Sequence, residues 1–275
     1  MHIPSEANPQ LGVWGPPSST VDWCEENYVV SPHVAEYWNT FSNLVFLVLV
    51  AIGLDSCRRC NSEWRFVVAY INLGLVGLGS MLFHGTLLYE SQLLDELPML
   101  YGMAAFLFCV FQMWPPERHS TILAISLISL SLLITMWYLS TRNFLIFALA
   151  FFCELMLAAI TPIFYIRSLA PMHPKDATRL ARTFAGTWLS FASAFALWIA
   201  DNTMCESLRE WRTHVGYPLR IASEFHACWH LLTAYAVYSG IVVFQHMRAL
   251  ILGRLDMDYV YYMGIPICVP KTKRD

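Results

Sequence analysis

The chain has 275 residues, of which 57% are hydrophobic and only 13% are charged, whereas an ordinary soluble domain carries about 25% charged residues. This composition excludes a typical soluble enzyme and indicates a membrane protein. The formal net charge is -3, and the sequence contains no basic tract of the kind that indicates nucleic-acid binding.

The first 33 residues form a polar, proline-rich segment without the pattern of a cleavable signal peptide. No Lys or Arg occurs in the first 57 residues, while Asp22, Glu25 and Glu36 gather around Asn27. Calcium binds carboxylate and amide oxygens of this kind. From these residues alone, however, a solvated acidic surface is the simpler interpretation.

Seven apolar stretches approach or exceed the length of about 20 helical residues that crosses a hydrocarbon core. They are Val34–Leu54, Phe66–Leu88, Leu97–Met113, Thr121–Leu139, Phe144–Ile166, Phe184–Ala200 and Ile221–Phe244. The sequence therefore predicts an all-α, polytopic membrane protein. A bundle of seven transmembrane helices is expected at 34–245, between an N-terminal segment at 1–33 and a C-terminal tail at 246–275.

The positive charges predict the orientation of this bundle. Of the 17 Lys and Arg residues, 13 lie in the C-terminal tail and in the first, third and fifth loops. The positive-inside rule then places the C-terminus in the cytosol and the N-terminus on the luminal side. Cys24 and Cys205 both fall on that oxidising side, where they could form a disulfide.

Three histidines, His84, His226 and His230, fall inside the predicted spans. Because they are four residues apart, His226 and His230 project from one helical face, a spacing that suits two ligands of one metal. The predicted topology brings His84, near the luminal end of the second span, to a similar depth. Three imidazoles with one open position are typical of catalytic zinc, although imidazole also suits iron, copper or nickel. We therefore expect an intramembrane metal site rather than three separate hydrogen bonds between helices.

Two more residues lie close to this predicted site. Ser80 precedes His84 by one helical turn, and Asp95 lies at the luminal start of the third span. A carboxylate there could accept a proton from an activated water, and a hydroxyl could donate a hydrogen bond to a developing oxyanion. Alternatively, Ser80 could bond to its own helix, Asp95 could cap the third helix, and Glu96 could be the working acid.

Three other polar residues are harder to interpret. Glu154 lies in the middle of the fifth span and has no assigned role. Asp201 and Asn202 lie at the luminal end of the sixth span, where they could hold the histidines in orientation.

Five motifs resemble those of the alkaline ceramidases, and most closely the type 3 members: WGPPSSTVDWCEENY, AEYWNTFSN, GSMLFHGTLLYESQLLDELPM, IADNTMCESLR and EFHACWHLLT. The similarity extends from Trp14 to about Phe244. It implies a seven-helix enzyme of the endoplasmic reticulum and Golgi that hydrolyses the amide of ceramide to sphingosine and a fatty acid. Its substrates, ceramide and related sphingolipids, would enter from the bilayer.

The resemblance also assigns roles to individual residues. The zinc ligands of the family match His84, His226 and His230, its oxyanion-stabilising serine matches Ser80, and its proton-handling aspartate matches Asp95. Its calcium ligands match five positions in the N-terminal segment: Asp22, Trp23 through the backbone carbonyl, Glu25, Asn27 and Glu36. This replaces the interpretation of a solvated acidic surface. Its luminal disulfide matches Cys24 and Cys205.

Two other functions are compatible with part of this pattern. A lipid or hormone receptor of the same superfamily could use the metal only to hold its helices together. Asp95 argues against this alternative, because a structural zinc needs no acid beside an open coordination position. A metal or proton transporter would need polar residues along the cytosolic half of the spans, where the sequence offers little beyond Glu154.

Overall fold

The structure is a computed structural model that describes residues 12–114 and 120–271. The ends of the predicted terminal segments, residues 1–11 and 272–275, lie outside this description. The helices are α1 (Tyr37–Ser42), α2 (Leu44–Arg59), α3 (Trp64–Thr86), α4 (Tyr89–Phe111), α5 (Ser120–Thr141), α6 (Phe144–Leu169), α7 (Pro174–Thr203), α8 (Cys205–His214) and α9 (Phe225–Ile251), with a short 3-10 helix at Leu219–Ser223. Two strands follow, β1 (Met257–Tyr262) and β2 (Ile265–Pro270).

Within the described residues, seven helical segments are long and apolar enough to cross a membrane. The first is made of α1 and α2 together, and the others are α3, α4, α5, α6, α7 and α9. The predicted all-α bundle of seven spans is confirmed, and the chain is a multi-pass membrane protein.

The third span begins earlier than hydropathy indicated. It starts at Tyr89 rather than Leu97, so that Asp95 lies in its second turn rather than at its start. Two further polar residues of these turns, Gln92 and Glu96, are buried in the bundle. The helix continues through them because they bond to each other and to neighbouring segments, so that neither side chain is left unpaired in the bundle.

The sixth and seventh spans also have different ends. The sixth begins at Pro174 rather than Phe184, because its first turns are amphipathic and carry charges that lowered the local hydropathy. The seventh covers Phe225–Ile251 rather than Ile221–Phe244.

Helix α9 is the centre of the bundle. In its most apolar window 61% of the residues are buried, against 17% for α5 and for α6. The two peripheral helices therefore expose most of their apolar surface to lipid. The central helix carries His226 and His230, so two of the three candidate metal ligands lie on the most deeply buried span.

The N-terminal segment crosses the end of the bundle where α9 begins. Its backbone amide at Ala35 donates to the Gly85 carbonyl in the last turn of α3, and that at Ser18 donates to the Leu87 carbonyl directly after this helix. Cys24 forms a disulfide with Cys205 at the start of α8, with Cα atoms 5.2 Å apart. The predicted disulfide is thus present in the structure.

The predicted C-terminal tail contains regular structure. Helix α9 continues to Ile251, and the strands after it pair in antiparallel register from Met257 with Pro270 to Tyr262 with Ile265. The two turn residues, Met263 and Gly264, both have positive φ, as a type I′ hairpin requires. This hairpin was not expected from the sequence.

Candidate active site

His84, His226 and His230 converge in the interior of the bundle. One ring nitrogen of each lies within 4.8 Å of those of the other two, and the ring centroids are 4.7 to 5.0 Å apart. All three side chains are at most 4% exposed. The predicted juxtaposition of His84 with the pair on α9 is therefore present in the structure.

Two of these imidazoles are held by side chains from the beginning of the first span. His84 Nδ1 forms a short hydrogen bond with Glu36 Oε2, and His230 Nδ1 lies 2.8 Å from Ser42 Oγ. Such contacts fix the orientation of a ring and select the nitrogen that faces a metal. In both residues, Nε2 is then the ring nitrogen available to a metal.

The third imidazole is covered by the N-terminal segment. The Trp23 indole stacks on His226, with ring centroids 3.9 Å apart and planes tilted by 17°. Asp201, at the end of α7, accepts hydrogen bonds from the backbone amides of Cys24 at 3.1 Å and His226 at 3.3 Å. The predicted role of Asp201 as a partner of the histidines is therefore indirect, since it holds the backbone of α9 rather than an imidazole. Asn202 bonds within its own helix, to the Trp198 carbonyl.

Ser80 and Asp95 meet where α3 and α4 approach closely. The Ser80 hydroxyl lies beside the Asp95 carboxyl. Gly79 makes this possible, because a Cβ atom there would lie 1.8 Å from the Leu94 carbonyl oxygen. Ser80 lies one helical turn from His84, so the hydroxyl and the carboxyl belong to the same end of the bundle as the imidazoles.

Glu96 has partners other than the histidine cluster. It accepts hydrogen bonds from Tyr138 in α5 and from Gln92, one turn earlier in its own helix. Gln92 in turn accepts from the Thr20 amide of the N-terminal segment. Glu96 therefore ties α4 to α5 and to this segment, which leaves Asp95 as the acid beside Ser80.

The acidic residues of the N-terminal segment are brought only partly together. The Asp22 carboxyl lies beside Asn27 and Glu36. The Glu25 carboxylate instead accepts from the backbone amides of Trp38 and Asn39, at 2.7 and 2.8 Å. Burial raises the pKa of Asp22 and raises the pKa of Glu25 to about 7, because the loss of solvent disfavours a charged carboxylate.

Two arginines of α8 hold the N-terminal segment in place. Arg212 Nη1 donates to the Cys24 carbonyl at 2.9 Å and its Nη2 pairs with Glu224 at 2.9 Å. Arg209 donates to the same carbonyl at 3.0 Å and also lies 3.5 Å from the Trp23 carbonyl. Both contacts are close to the disulfide, so covalent and polar links fasten the same stretch of chain.

The histidine cluster has the properties of a metal site. Within the described part of the chain, His84 Nε2 and His226 Nδ1 are buried and have no hydrogen-bond partner. Leaving buried polar atoms unpaired costs free energy, and a metal ion would satisfy both. Three neutral nitrogen ligands beside a carboxyl and a hydroxyl are suited to the hydrolysis of a carbonyl compound.

Comparison with known proteins agrees with this chemistry. A family model described as Ceramidase matches residues 15–272. The chain belongs to the ceramidase family. It is 37% identical to alkaline ceramidase 3 of Mus musculus over 243 residues, which cover 88% of each chain. It is 33% identical to alkaline ceramidase YPC1 of Saccharomyces cerevisiae, over 88% of this chain and 80% of the relative. An alkaline ceramidase of Arabidopsis thaliana is 26% identical over 94% of this chain and 97% of its own length.

The structure adds residues that sequence reasoning did not connect with the site of this ceramidase-family chain. Glu36 was considered only as a calcium ligand, but it also bonds to His84. Ser42, Arg209 and Arg212 were not considered. The one available signal was the position of Glu36 and Ser42 at the beginning of a span, on the side where the histidines were expected.

Proposed function

We propose that this protein is an alkaline ceramidase, a zinc-dependent amidohydrolase that converts ceramide to sphingosine and a free fatty acid. One observation carries the proposal: three buried imidazoles converge at the end of the bundle where Ser80 and Asp95 meet. The names of the most similar relatives supply the substrate class, and the burial of the site within a membrane protein suits a lipid substrate that enters from the bilayer.

His84, His226 and His230 would hold the zinc ion. Zinc bound by three imidazoles lowers the pKa of a water molecule toward about 7 and polarises a carbonyl group. Glu36 and Ser42 hold two of the rings in orientation, and the stacked Trp23 indole limits the access of bulk water to the third.

Asp95 and Ser80 then divide the remaining chemistry. As water adds to the amide carbon, Asp95 accepts its proton and later donates a proton to the departing nitrogen, so that the C–N bond breaks to give an amine and a carboxylic acid. The Ser80 hydroxyl donates a hydrogen bond to the carbonyl oxygen as negative charge develops on it.

We further propose that calcium binds the N-terminal segment through Asp22, the Trp23 carbonyl, Glu25, Asn27 and Glu36. Two features support a cation there. Glu36 Oε1 and Asn27 Oδ1 are buried oxygen atoms without a hydrogen-bond partner, and the carboxyl groups of Asp22 and Glu36 lie side by side. Calcium binds oxygen atoms of these types. Because Trp23 lies in this segment, calcium would stabilise the cover of the histidine cluster and activate the enzyme.

The charge distribution and the disulfide support an orientation in the membrane, and the resemblance to alkaline ceramidases supports an organelle. We propose residence in the endoplasmic reticulum, the Golgi or both, with the N-terminus in the lumen and the C-terminal end on the cytosolic side. A disulfide between Cys24 and Cys205 is compatible with an oxidising lumen, and it lies at the end of the bundle that the positive-inside rule places there.

The decisive experiment compares two variants of the purified, reconstituted protein on ceramides of several chain lengths, with free sphingosine and bound zinc measured together. His226→Ala is expected to lose both zinc and hydrolysis. Asp95→Asn is expected to keep its zinc and to lose at least about 100-fold in rate, the usual scale of general acid–base catalysis. Full activity in His226→Ala with zinc retained would refute the metal site, and an active Asp95→Asn would favour a receptor with a structural zinc.

A further inference from the structure

The hairpin formed by β1 and β2 has the composition of a membrane segment. Its sequence from Tyr259 to Pro270, YVYYMGIPICVP, contains no charged residue. Charged residues occur just before it, at Arg254, Asp256 and Asp258. A short cytosolic tail has no need for twelve consecutive uncharged residues, whereas a segment within a bilayer does.

Contacts with α9 show how far the hairpin extends along the bundle. At its open end, the Cys268 thiol lies 4.0 Å from the Val242 carbonyl. At its tip, the Tyr235 hydroxyl donates to the Gly264 carbonyl at 3.1 Å. Tyr235 is 16 residues before Ile251, the end of α9, which corresponds to about 24 Å of helix. Because Tyr235 lies within one turn of Tyr238, the midpoint of Phe225–Ile251, the tip reaches close to the middle of that span.

Three backbone carbonyls of the hairpin are hydrogen-bonded by the helices beside it. Ser56 in α2 donates to the Cys268 carbonyl at 2.7 Å, and Arg179 in α7 donates to the Tyr259 carbonyl at 3.3 Å. Together with the Tyr235 bond at the tip, these contacts serve carbonyls that strand pairing leaves free. Non-helical backbone is tolerated at membrane depth only when its polar groups are paired in this way.

The opposite side of the tip is apolar and exposed. Tyr261, Tyr262 and Met263 are 51, 68 and 87% exposed. Tyr261 also bonds through its hydroxyl to Thr183, so this side of the tip adjoins α7. Exposed apolar side chains at this depth would contact the hydrocarbon of the bilayer rather than water.

We propose that the C-terminal hairpin is a re-entrant membrane element, which rises from the face where α9 ends and presents Tyr262 and Met263 to lipid chains near the middle of the bilayer. Leu255 and the charged residues around it remain at the aqueous surface. The occupant of the exposed tip is the hydrocarbon of that leaflet. This inference concerns the topology of the chain and does not depend on the reaction.

The test places single spin labels on the full-length protein in phosphatidylcholine vesicles. Tyr262→Cys and Met263→Cys are compared with Leu255→Cys, a matched control because Leu255 is 63% exposed and Tyr262 is 68% exposed. A Cys153→Ser background removes an exposed native thiol. Collision of each label with dissolved oxygen, which concentrates in hydrocarbon, is measured against collision with a charged, water-soluble nickel chelate.

The labels at 262 and 263 are expected to collide with oxygen more often than the label at 255 does. Their collision rate with the nickel chelate is expected to be at least about tenfold lower than that of the label at 255, because charged complexes are excluded from hydrocarbon. Equal nickel accessibility at all three positions would overturn the proposal and place the tip in water. Protection of the tip from both reagents would also overturn it, since a second copy of the chain or another protein would then cover the surface. Monodisperse elution of each variant confirms that the label has not disrupted the fold.

Discussion

Replacing Gly79 by Ala tests whether the contact between α3 and α4 sets the geometry of the reaction centre. The added Cβ would lie 1.8 Å from the Leu94 carbonyl oxygen, 2.5 Å from the Leu94 carbonyl carbon and 3.0 Å from the Asp95 amide nitrogen. All three atoms belong to backbone, so no side chain can rotate away. The helices themselves must separate.

The size of the effect follows from these distances. Restoring an ordinary contact of 3.4 Å from 1.8 Å requires a displacement of about 1.6 Å. A misplacement of about 1 Å in an active site costs on the order of 100-fold in rate. Because Asp95 directly follows Leu94, we expect Gly79→Ala to lower kcat/KM for ceramide by at least about 100-fold.

The assay measures sphingosine release, zinc content and thermal unfolding on the same detergent-purified samples. Gly186→Ala is the matched control, because an added Cβ at Gly186 in α7 has no neighbouring atom within 4 Å. The control is expected to behave as the native protein does. If Gly79→Ala kept more than half of the native kcat/KM, Ser80 and Asp95 would not need the observed helix contact, and this reasoning would be refuted.

Three further outcomes are expected. Glu36→Gln weakens zinc binding by about 10 to 100-fold because it removes the charged partner of an imidazole. Competition for zinc with a chelator measures this affinity. Glu90→Gln, at an exposed glutamate, is the control and is expected to leave the zinc affinity unchanged. Cys205→Ser lowers the free energy of unfolding by about 2 to 5 kcal/mol. The reduced native protein should unfold at the same temperature as this variant. If reductant left the unfolding temperature of the native protein unchanged, the prediction would be contradicted. Strong chelation of calcium lowers hydrolysis and increases quenching of Trp23 fluorescence by a water-soluble quencher, whereas unchanged rates would exclude calcium activation.

The sequence was sufficient to predict the seven spans and the histidine cluster, for physical reasons. Apolar stretches of about 20 residues have few stable alternatives to membrane helices. His226 and His230 were placed on one face by the helical period. Placing His84 at the depth of this pair required only the direction of its span. Adjacent spans alternate in direction, so that their ends lie at predictable depths.

Other contacts could not be predicted, because they depend on packing between distant segments. Glu36 and His84 are 48 positions apart, and nothing local to Glu36 indicates that it reaches an imidazole. In the sequence, Arg209 and Arg212 resemble ordinary surface charges. Only the structure shows that the disulfide places Cys24 beside them. Helix α4 was predicted too short, since hydropathy does not distinguish a polar residue that ends a span from one that faces the bundle interior.

The hairpin was missed for a related reason. Its strands are six residues each, too short for a span, and Pro266 and Pro270 disfavour an ordinary strand pattern. Its backbone carbonyls are hydrogen-bonded by Tyr235, Ser56 and Arg179 on neighbouring helices, contacts that the local sequence does not reveal.

The bond between Cys24 and Cys205 has a topological consequence. It closes a covalent ring of the intervening chain, with 181 positions of sequence separation. Six of the seven spans lie within that ring, while α9, which carries His226 and His230, follows it. A metal ion shared between His84 and the two histidines of α9 would therefore be a second link, which connects the ring to the one span that the disulfide does not enclose. Loss of the metal would free α9 to shift against the ring while the other six spans remained tied together.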